Sequence, residues 1–374
     1  MTNRRIHIVS FDVPFEPNYG GILDVYLRAK ALKQAGFYII MHCFDYGRGK
    51  LKLDTNIADE VFYYKRKTSI FSFIGTAPYI VRGRKNKQLL VNLRKDNDPI
   101  LLEGQHSTGF IHHLNHNDRK IWIRKHNVEW QYYSELANRE RSLLRLVFYR
   151  TESRRLRHQE ARLYEFPLLC ISKTDLDYYS SKGAKAYLAT TPLFFEEDEL
   201  AGQTENYALF HGNLSVAENI EALEILVDNI SKSETSIPIK VAGKGPSEEL
   251  LELLKNAKIE CFSDPSMEEM KHLIQKAKTH LCLGFQQTGL KLKLLQSLET
   301  GKPCVVTKEM LFGTELEKFC IIWDPQQDLS ALLSEIEIDP IEIEQRRSEL
   351  KKIFAPKNYV KVIEKLIEGG MIRK

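Results

Sequence analysis

The stretch "TGLKLKLLQSLETGKPCVV", residues 288–306, combines a polar loop, an amphipathic helix and a short apolar strand. Lys291 and Lys293 lie in the first turn of the predicted helix, where free backbone N–H groups already leave about half a positive charge. Cations are unfavourable there unless an anion faces them. Gly289 and the strand-like "HLCLGF" before it complete a strand–loop–helix unit. The stretch therefore predicts an α/β fold with an anion site, against the alternative of two solvated surface lysines.

Short apolar runs alternate with helical periodicity along most of the chain, which is typical of a parallel sheet covered by helices. The pattern begins at "IHIVSF" (6–11) and restarts at "YALFHG" (207–212), after a polar and acidic stretch. We expect two Rossmann-like domains facing a central cleft, with ligands beyond the carboxyl ends of the strands. The expected ranges are 1–190 for the first domain, 191–206 for a linker, 207–355 for the second domain and 356–374 for a C-terminal helix that packs back on the first domain.

The composition, 43% hydrophobic and 28% charged in 374 residues, is that of an ordinary globular protein. No apolar run approaches the roughly 18 residues that span a bilayer, so we expect a cytoplasmic protein. The six scattered cysteines lack the spacing of a metal or disulfide site. Residues 1–190 hold 32 Lys and Arg against 19 Asp and Glu, whereas residues 191–374 hold 22 against 31. The basic half predicts a phosphate-bearing acceptor, an anionic membrane surface or nucleic acid as a partner.

Glycines follow several predicted strands and could bring the backbone close to a ligand. Without a side chain, a glycine leaves neighbouring N–H groups free to bind an anion, although an ordinary tight turn has the same sequence. No GxGxxG fingerprint is present, which argues against a dinucleotide. These glycines, with one adjoining asparagine, are Gly20, Gly21, Gly212, Asn213, Gly243 and Gly245.

Five segments, in this order, resemble the retaining GT-B glycosyltransferases of family 4: "NYGG", "RKHNVEWQYYSELA", "LFHGNLSVAEN", "VAGKGP" and "GLKLKLLQSLETGKPCVV". The resemblance implies a second domain that binds a UDP- or GDP-linked sugar and a first domain that binds the acceptor. It implies a metal-independent hexosyltransferase that needs no cofactor. Its acceptor would be a glycan or a lipid-linked glycan, as in bacterial surface polysaccharide synthesis.

The resemblance also implies roles for individual residues. Lys291 and Lys293 would neutralise the departing diphosphate, which removes the need for a metal, and His126 would approach the transferred sugar. The implied donor-binding positions are Gly20, Gly21, Gly212, Asn213, Gly243, Gly245, Gly289 and Gln296. For acceptor hydroxyls the sequence offers four polar residues near the ends of first-domain strands, namely Glu103, His106, Asn127 and Glu129.

Several positions depart from the family pattern. Thr288 and Gln296 stand where glutamates are usual, Asn213 replaces an arginine and Glu218 replaces a lysine. The substitutions at Asn213, Glu218 and Gln296 leave open a non-catalytic relative that binds a sugar or nucleotide. A nucleotide-sugar epimerase with the same fold is a second alternative, although the sequence shows no further acid/base pair for it. Donor binding without turnover would mark the first, and conversion without an acceptor would mark the second.

The segment 62–95 mixes aromatic residues with basic clusters. One interpretation is a set of ordinary solvated helices. The other is a peripheral face at the inner side of the plasma membrane, where aromatic side chains insert and lysines meet anionic lipid. No recognisable nucleic-acid module accompanies the segment, so we expect no nucleic-acid partner.

Overall fold

The computed structural model describes residues 4–17, 20–45, 47, 49, 51–68, 75–114, 119–140, 142–195, 204–233, 237–285 and 292–369. These residues form two compact units. The first holds the described residues up to Pro192 and those from Pro356 onwards, and the second holds those between Leu193 and Ala355. Each unit is built on its own parallel sheet, which confirms the predicted α/β fold class with two Rossmann-like domains.

Strands and helices alternate through both units. The strands are β1 Arg5–Ser10, β2 Tyr38–Asp45, β3 Glu60–Lys65, β4 Ile100–Glu103, β5 Ile121–Lys125, β6 Leu168–Cys170, β7 Ala186–Leu188, β8 Glu205–Asn213, β9 Ile239–Lys244, β10 Glu260–Ser263, β11 Ala277–Cys282, β12 Cys304–Val306 and β13 Ile321–Ile322. The helices are α1 Gly20–Gln34, α2 Tyr79–Arg82, α3 Lys87–Leu93, α4 Glu129–Arg139, α5 Leu143–Ala161, α6 Lys173–Ser181, α7 Ala217–Ile230, α8 Glu248–Asn256, α9 Met267–Lys276, α10 Leu292–Glu299, α11 Leu329–Glu335, α12 Pro340–Phe354 and α13 Pro356–Glu368.

The two sheets share one strand order. In the first unit the order is β3-β2-β1-β4-β5-β6-β7, and in the second it is β10-β9-β8-β11-β12-β13. Every strand pair is parallel. In such sheets the order reverses beside the first strand, and the carboxyl edge at that point is where open α/β sheets bind ligands. We therefore expect ligands at the β1/β4 edge of the first unit and at the β8/β11 edge of the second.

Apolar strand residues form the core of each unit. In the first, Val9, Leu102 and Ile123 from neighbouring strands belong to one buried cluster. In the second, Phe210 and Val241 lie in a comparable cluster. The strands are nearly continuous apolar runs, as expected for parallel sheets buried on both faces. This is why the strands could be found from the sequence.

Helix α1 has glycines at its start and just beyond its end. It begins at Gly20, so Gly20 and Gly21 form its first turn instead of a loop before it. It ends at Gln34, where Gly36 adopts a φ of 83° and donates its N–H to Lys33 O, while Phe37 N–H bonds Leu32 O. This pair of bonds satisfies the last carbonyl groups of the helix, and only glycine adopts that φ without strain.

Helix α13 belongs to the first unit and packs against α1. Arg28 Nη1 of α1 donates to the Tyr359 hydroxyl across 3.2 Å, and Arg4 pairs with Glu364 nearer the surface. The end of the chain is thus part of the first unit's packing, although more than 300 residues separate Arg28 from Tyr359. Within the described residues, no helix is both long and apolar enough to cross a membrane.

Candidate functional site

His126 lies at the carboxyl edge of the first sheet, directly after β5. Its Nδ1 is 3.3 Å from Asp24 Oδ2 of α1, and its Nε2 is 3.4 Å from Glu103 Oε2 at the end of β4. The Phe11 ring, which follows β1, meets the imidazole edge-on at 5.5 Å between ring centroids. His126 is therefore held between two buried carboxylates at the predicted β1/β4 edge, with 14% of its side chain exposed.

Two buried arginines neutralise these carboxylates. Arg28 donates Nε to Asp24 Oδ2 across 3.0 Å and pairs through Nη2 with Glu103. Arg124 of β5 donates Nη2 to Asp24 Oδ1 across 3.1 Å, and the Thr191 hydroxyl also bonds Asp24. Burial alone would raise the pKa of Asp24, but the two guanidinium groups outweigh it and hold the pKa well below its ordinary value. The carboxylates therefore stay ionised without solvent.

Four buried polar atoms at this edge have no hydrogen-bond partner within the described part of the chain. They belong to residues at or just after the ends of β4 and β5, and each residue carries a group able to bind a hydroxyl. A buried polar atom left unbonded costs about 1–3 kcal/mol, so such a cluster indicates a place where ligand or water bonds are missing. The atoms are Glu103 Oε1, His106 Nδ1, His126 Nε2 and Asn127 Oδ1.

Glu129 opens α4 beside this cluster. Its Oε1 lies 3.8 Å from His106 Nδ1, and its side chain is 6% exposed. Burial raises the pKa of Glu129 to about 7, whereas burial and the nearby Arg84 lower the pKa of His106 well below its ordinary value. Both groups are thus biased toward their neutral forms at neutral pH. A neutral pair can donate and accept hydrogen bonds to a neutral ligand.

In the second unit, Lys293 occupies the corresponding β8/β11 edge. It lies in the first turn of α10, and its Nζ donates to Leu283 O across 2.7 Å and to Asn219 Oδ1 across 2.9 Å. The ammonium also lies 5.0 Å from the Phe210 ring centroid. Lys293 therefore joins α10 to the end of β11 and to the first turn of α7.

The glycines of this edge explain how its strands approach one another. Gly212 and Gly243 are register partners in β8 and β9, and a Cβ on Gly243 would lie 1.9 Å from Gly212 O. No side chain fits there. Gly245 has a φ of 65° and donates its N–H to Asp264, so it needs glycine for its backbone conformation. Close strand packing thus accounts for Gly243, and the positive φ accounts for Gly245.

Sequence comparison identifies the second unit directly. Residues 205–333 match the sequence model of the family described as Glycosyl transferases group 1. The second unit of the chain thus resembles the group 1 glycosyltransferases. This confirms the family predicted from the five segments. The chain is also 25% identical over 332 residues to an uncharacterised 44.6 kDa protein in the cps region of Klebsiella pneumoniae, covering 83% of this chain and 84% of that protein.

Solved structures similar to this chain share its fold at low identity. Sucrose-phosphate synthase from Thermosynechococcus elongatus superposes with a TM-score of 0.70 at 12% identity, covering 98% of both chains. Anabaena HepE in complex with UDP-glucose gives 0.69 at 12% identity, covering 98% of this chain and 99% of that one. A mutant of Staphylococcus aureus TarM in complex with UDP, fondaparinux and alpha-GlcNAc-glycerol gives 0.65 at 8% identity, covering 97% and 99%. The predicted GT-B fold is confirmed.

The predicted site residues divide between the two units. The first-unit edge brings together five predicted residues at the end of β4, in the 3₁₀ turn after it, directly after β5 and at the start of α4, namely Glu103, His106, His126, Asn127 and Glu129. In the second unit Asn213 Oδ1 accepts from the Ser215 N–H across 3.0 Å, and Gln296 lies half-buried on α10. Lys291 and Gly289 lie outside the described residues, so their roles stay predictions.

Sequence reasoning missed Asp24, Arg28 and Arg124, which surround and support His126 in the first unit. A signal was present: Asp24 and Arg28 are four residues apart in an otherwise apolar helix face, and Arg124 interrupts the apolar run of β5. Charged residues are rarely buried unless they are paired. Their partners could not be named, because Arg124 and Asp24 are 100 positions apart.

Asp24, Glu103 and His126 place one ligand atom each within 4.8 Å of one another, close enough to coordinate a metal ion. The residues around them do not fit a cation. Arg28 bonds both carboxylates, and Arg124 takes up both oxygens of Asp24. A divalent ion would have to displace a buried guanidinium, so we assign no metal role to this cluster.

The predicted membrane segment, 62–95, includes β3, α2 and α3, while residues 69–74 lie outside the described ranges. Asn86 caps α3 by accepting the N–H groups of Gln88 and Leu89. Ile80 and Val81 of α2 are buried against Leu156 of α5. Much of the segment is therefore ordinary packed structure, and its contact with a membrane stays a prediction.

Proposed function

We propose that this glycosyltransferase transfers a hexosyl group from a UDP-sugar to a glycan or lipid-linked glycan acceptor, with retention of anomeric configuration. The observation that carries the proposal is the cluster of four unbonded polar atoms around His126, in a chain whose second unit is a group 1 domain. Sugar ligands are rich in hydroxyls, which both donate and accept hydrogen bonds. Hydroxyls of the substrates would supply the missing partners.

The second unit would hold the nucleotide. HepE with UDP-glucose and TarM with UDP support a UDP-linked donor. The start of α10 supplies N–H groups and the positive end of a helix dipole, and Lys293 adds a full charge beside them. We propose that Lys291 contributes the second cation, so that diphosphate departure needs no metal.

In the first unit, His126 would contact the transferred sugar while Glu103, His106, Asn127 and Glu129 orient the acceptor. The acceptor oxygen forms a bond to the anomeric carbon as the bond from that carbon to the diphosphate oxygen breaks. The acceptor proton passes to the departing diphosphate on the same face of the sugar, so the configuration is retained. The work of the protein is then to place both groups and to stabilise the developing charge.

Surface polysaccharide synthesis is the pathway class we propose. The Klebsiella pneumoniae relative is encoded in a cps region, and the covered shares of both chains exceed four fifths. An acceptor built on a lipid carrier is consistent with the basic character of residues 1–190.

The test begins with donor binding and proceeds to transfer. Purified protein is screened by thermal shift against UDP, GDP, ADP and CMP and their sugars, each with magnesium and with EDTA. A ligand at 100 times its Kd adds about 2.7 kcal/mol to the free energy of unfolding, so a shift is measurable. We expect UDP and one UDP-hexose to raise Tm equally in both buffers. A shift seen only with magnesium would contradict metal independence.

Transfer is then assayed with the responding donor and a panel of lipid-linked and free glycans, and the anomeric coupling of the product is read by NMR. Removal of a group that contacts the transferred sugar typically costs 10²–10³ in rate, so we expect His126→Ala to lower kcat by about that factor. His112→Ala is the matched control, because His112 is exposed and its described contacts are with Glu165 and the Phe166 ring, outside the His126 cluster. An inverted product, or a fully active His126→Ala, would contradict the proposed mechanism.

The second candidate is a non-catalytic relative that binds a sugar or nucleotide and has lost contacts to the donor. Glu218 favours it, since this carboxylate stands in the first turn of α7, within 3.0 Å of the position a Cβ on Gly284 would occupy. A negative charge at the β8/β11 edge opposes a diphosphate. Donor binding with no transfer across the panel would support this candidate, and Glu218→Lys would then be expected to tighten donor binding.

A further inference from the structure

Helix α5 exposes large apolar side chains at its N-terminal end. Leu143 is 77% exposed, Leu144 is 86% exposed and Val147 is 63% exposed, and we call these three residues the α5 tip. Single exposed apolar residues are ordinary on protein surfaces, but three within five positions of one helix are not. The α5 tip is therefore a candidate contact surface for a binding partner.

The rest of α5 restricts the chemistry of that partner. The helix contains two carboxylates, Glu152 and Glu160, and both are buried. Its arginines at 145, 150 and 154 are exposed. The solvent-facing side of α5 is thus cationic wherever it is charged. An anionic partner with an apolar layer would match both the exposed arginines and the exposed apolar residues of α5.

The order of residues along the helix matches a bilayer surface. Positions spaced by four, three and four residues share one face of a helix. One such stripe contains Leu143, Val147, Arg150 and Arg154. Arg150 follows Leu143 by about 10 Å along the axis, given a rise of about 1.5 Å per residue. This is close to the roughly 5–10 Å to which interfacial helices bury apolar residues below the headgroups.

We propose that the α5 tip inserts into an anionic lipid bilayer while Arg150 and Arg154 contact the lipid phosphates. The surface would dock this glycosyltransferase where lipid-linked acceptors reside. It involves none of the residues assigned to donor or acceptor binding. Lipid binding can therefore be measured without any substrate, and its failure would leave the proposed transfer reaction untouched.

Helix α12 of the second unit provides a matched control. Ile341 is 68% exposed in the first turn of α12, as Leu144 is in α5, but its exposed neighbours Glu342 and Glu344 are acidic. Ile341→Ser removes an equally exposed apolar side chain from a surface that should not bind anionic lipid.

The experiment is flotation of the full-length protein with phosphatidylcholine vesicles containing no or 30% phosphatidylglycerol, at low and high salt. We expect binding to the anionic vesicles only, weakened by salt. Leu143→Ser/Leu144→Ser/Val147→Ser should lower the bound fraction at least tenfold, and Ile341→Ser should leave it unchanged. Arg150→Gln/Arg154→Gln should lower the bound fraction severalfold. This double variant keeps the apolar residues, so it still tests the proposal if the triple variant does not fold.

Three outcomes would overturn the proposal. The wild-type protein does not float with anionic vesicles, or the serine variant floats as well as wild type. In the third, light scattering shows that the wild-type protein is a dimer and that the serine variant is a monomer, which would make the α5 tip a contact between two copies of this chain.

Discussion

The two sheet edges share one strand order but differ in how their charged side chains are buried and paired. At the β1/β4 edge, Asp24, Arg28, Glu103 and Arg124 are buried together and neutralise one another beneath His126. At the β8/β11 edge, Lys293 is half-buried and donates to a carbonyl and an amide oxygen, which are neutral acceptors. The first edge is fixed by full charges in the interior. At the second edge, we propose that the Lys293 ammonium reaches a charged ligand.

This difference predicts where function and stability depend on the same residue. Removal of one partner of a buried ion pair lowers the free energy of unfolding, because the other partner is then buried without an opposite charge. Lys293 is half-buried and bonds two neutral oxygens, so we expect its removal to cost less stability and to act mainly on ligand binding. The three predictions below separate the two cases.

The largest effect is expected for Arg28→Met, which leaves Asp24 and Glu103 each with one fewer buried cation. Breaking a buried ion pair costs about 3–5 kcal/mol, so we expect the free energy of unfolding to fall by that amount. Urea denaturation followed by circular dichroism measures it. The control is Arg4→Met, since the Arg4–Glu364 pair also reaches α13 but is partly exposed, and it should cost less than about 1 kcal/mol. Equal losses in the two variants would show that burial of the network contributes nothing.

Glu129 should make stability depend on pH. Its pKa is about 7 in the folded protein, against an ordinary value of 4.5. The folded state therefore binds more protons between these values, and its stability is full below pH 4.5 and falls as the pH rises toward 7. The loss above pH 7 is roughly 3 kcal/mol, at 1.36 kcal/mol for each pKa unit. Glu129→Gln should remove this slope and be more stable than wild type at pH 8.

The matched control for the pH series is Glu165→Gln. Glu165 is on the surface, with 48% of its side chain exposed. Its replacement should preserve the wild-type pH dependence. If Glu129→Gln and wild type lose stability in parallel between pH 5 and pH 8, then Glu129 does not titrate in this range.

The sequence predicts the sheets well and the first edge poorly, for physical reasons that particular residues show. Strands such as β1 and β9 are apolar runs because they are buried on both faces, so the pattern marks them directly. The apolar pattern did not predict strand β7, because only Ala186 of its three residues is buried. The resemblance to GT-B enzymes pointed to His126. The support from Asp24, Arg28 and Arg124 depends on tertiary contacts between distant elements, which no local pattern encodes.

The smallest effect, Lys293→Met, tests the second edge. The variant loses bonds to Asn219 and Leu283 O, so we expect about 1–2 kcal/mol less stability, well below the loss in Arg28→Met. Donor affinity should fall at least tenfold, about 1.4 kcal/mol, because a full charge beside the diphosphate is lost. Isothermal titration with the responding UDP-sugar measures the change, and Lys232→Met, on the exposed Lys232–Asp228 pair, is the control. An unchanged donor Kd would mean that Lys293 only connects α10 to α7, and the diphosphate site would then have to lie elsewhere in the second unit.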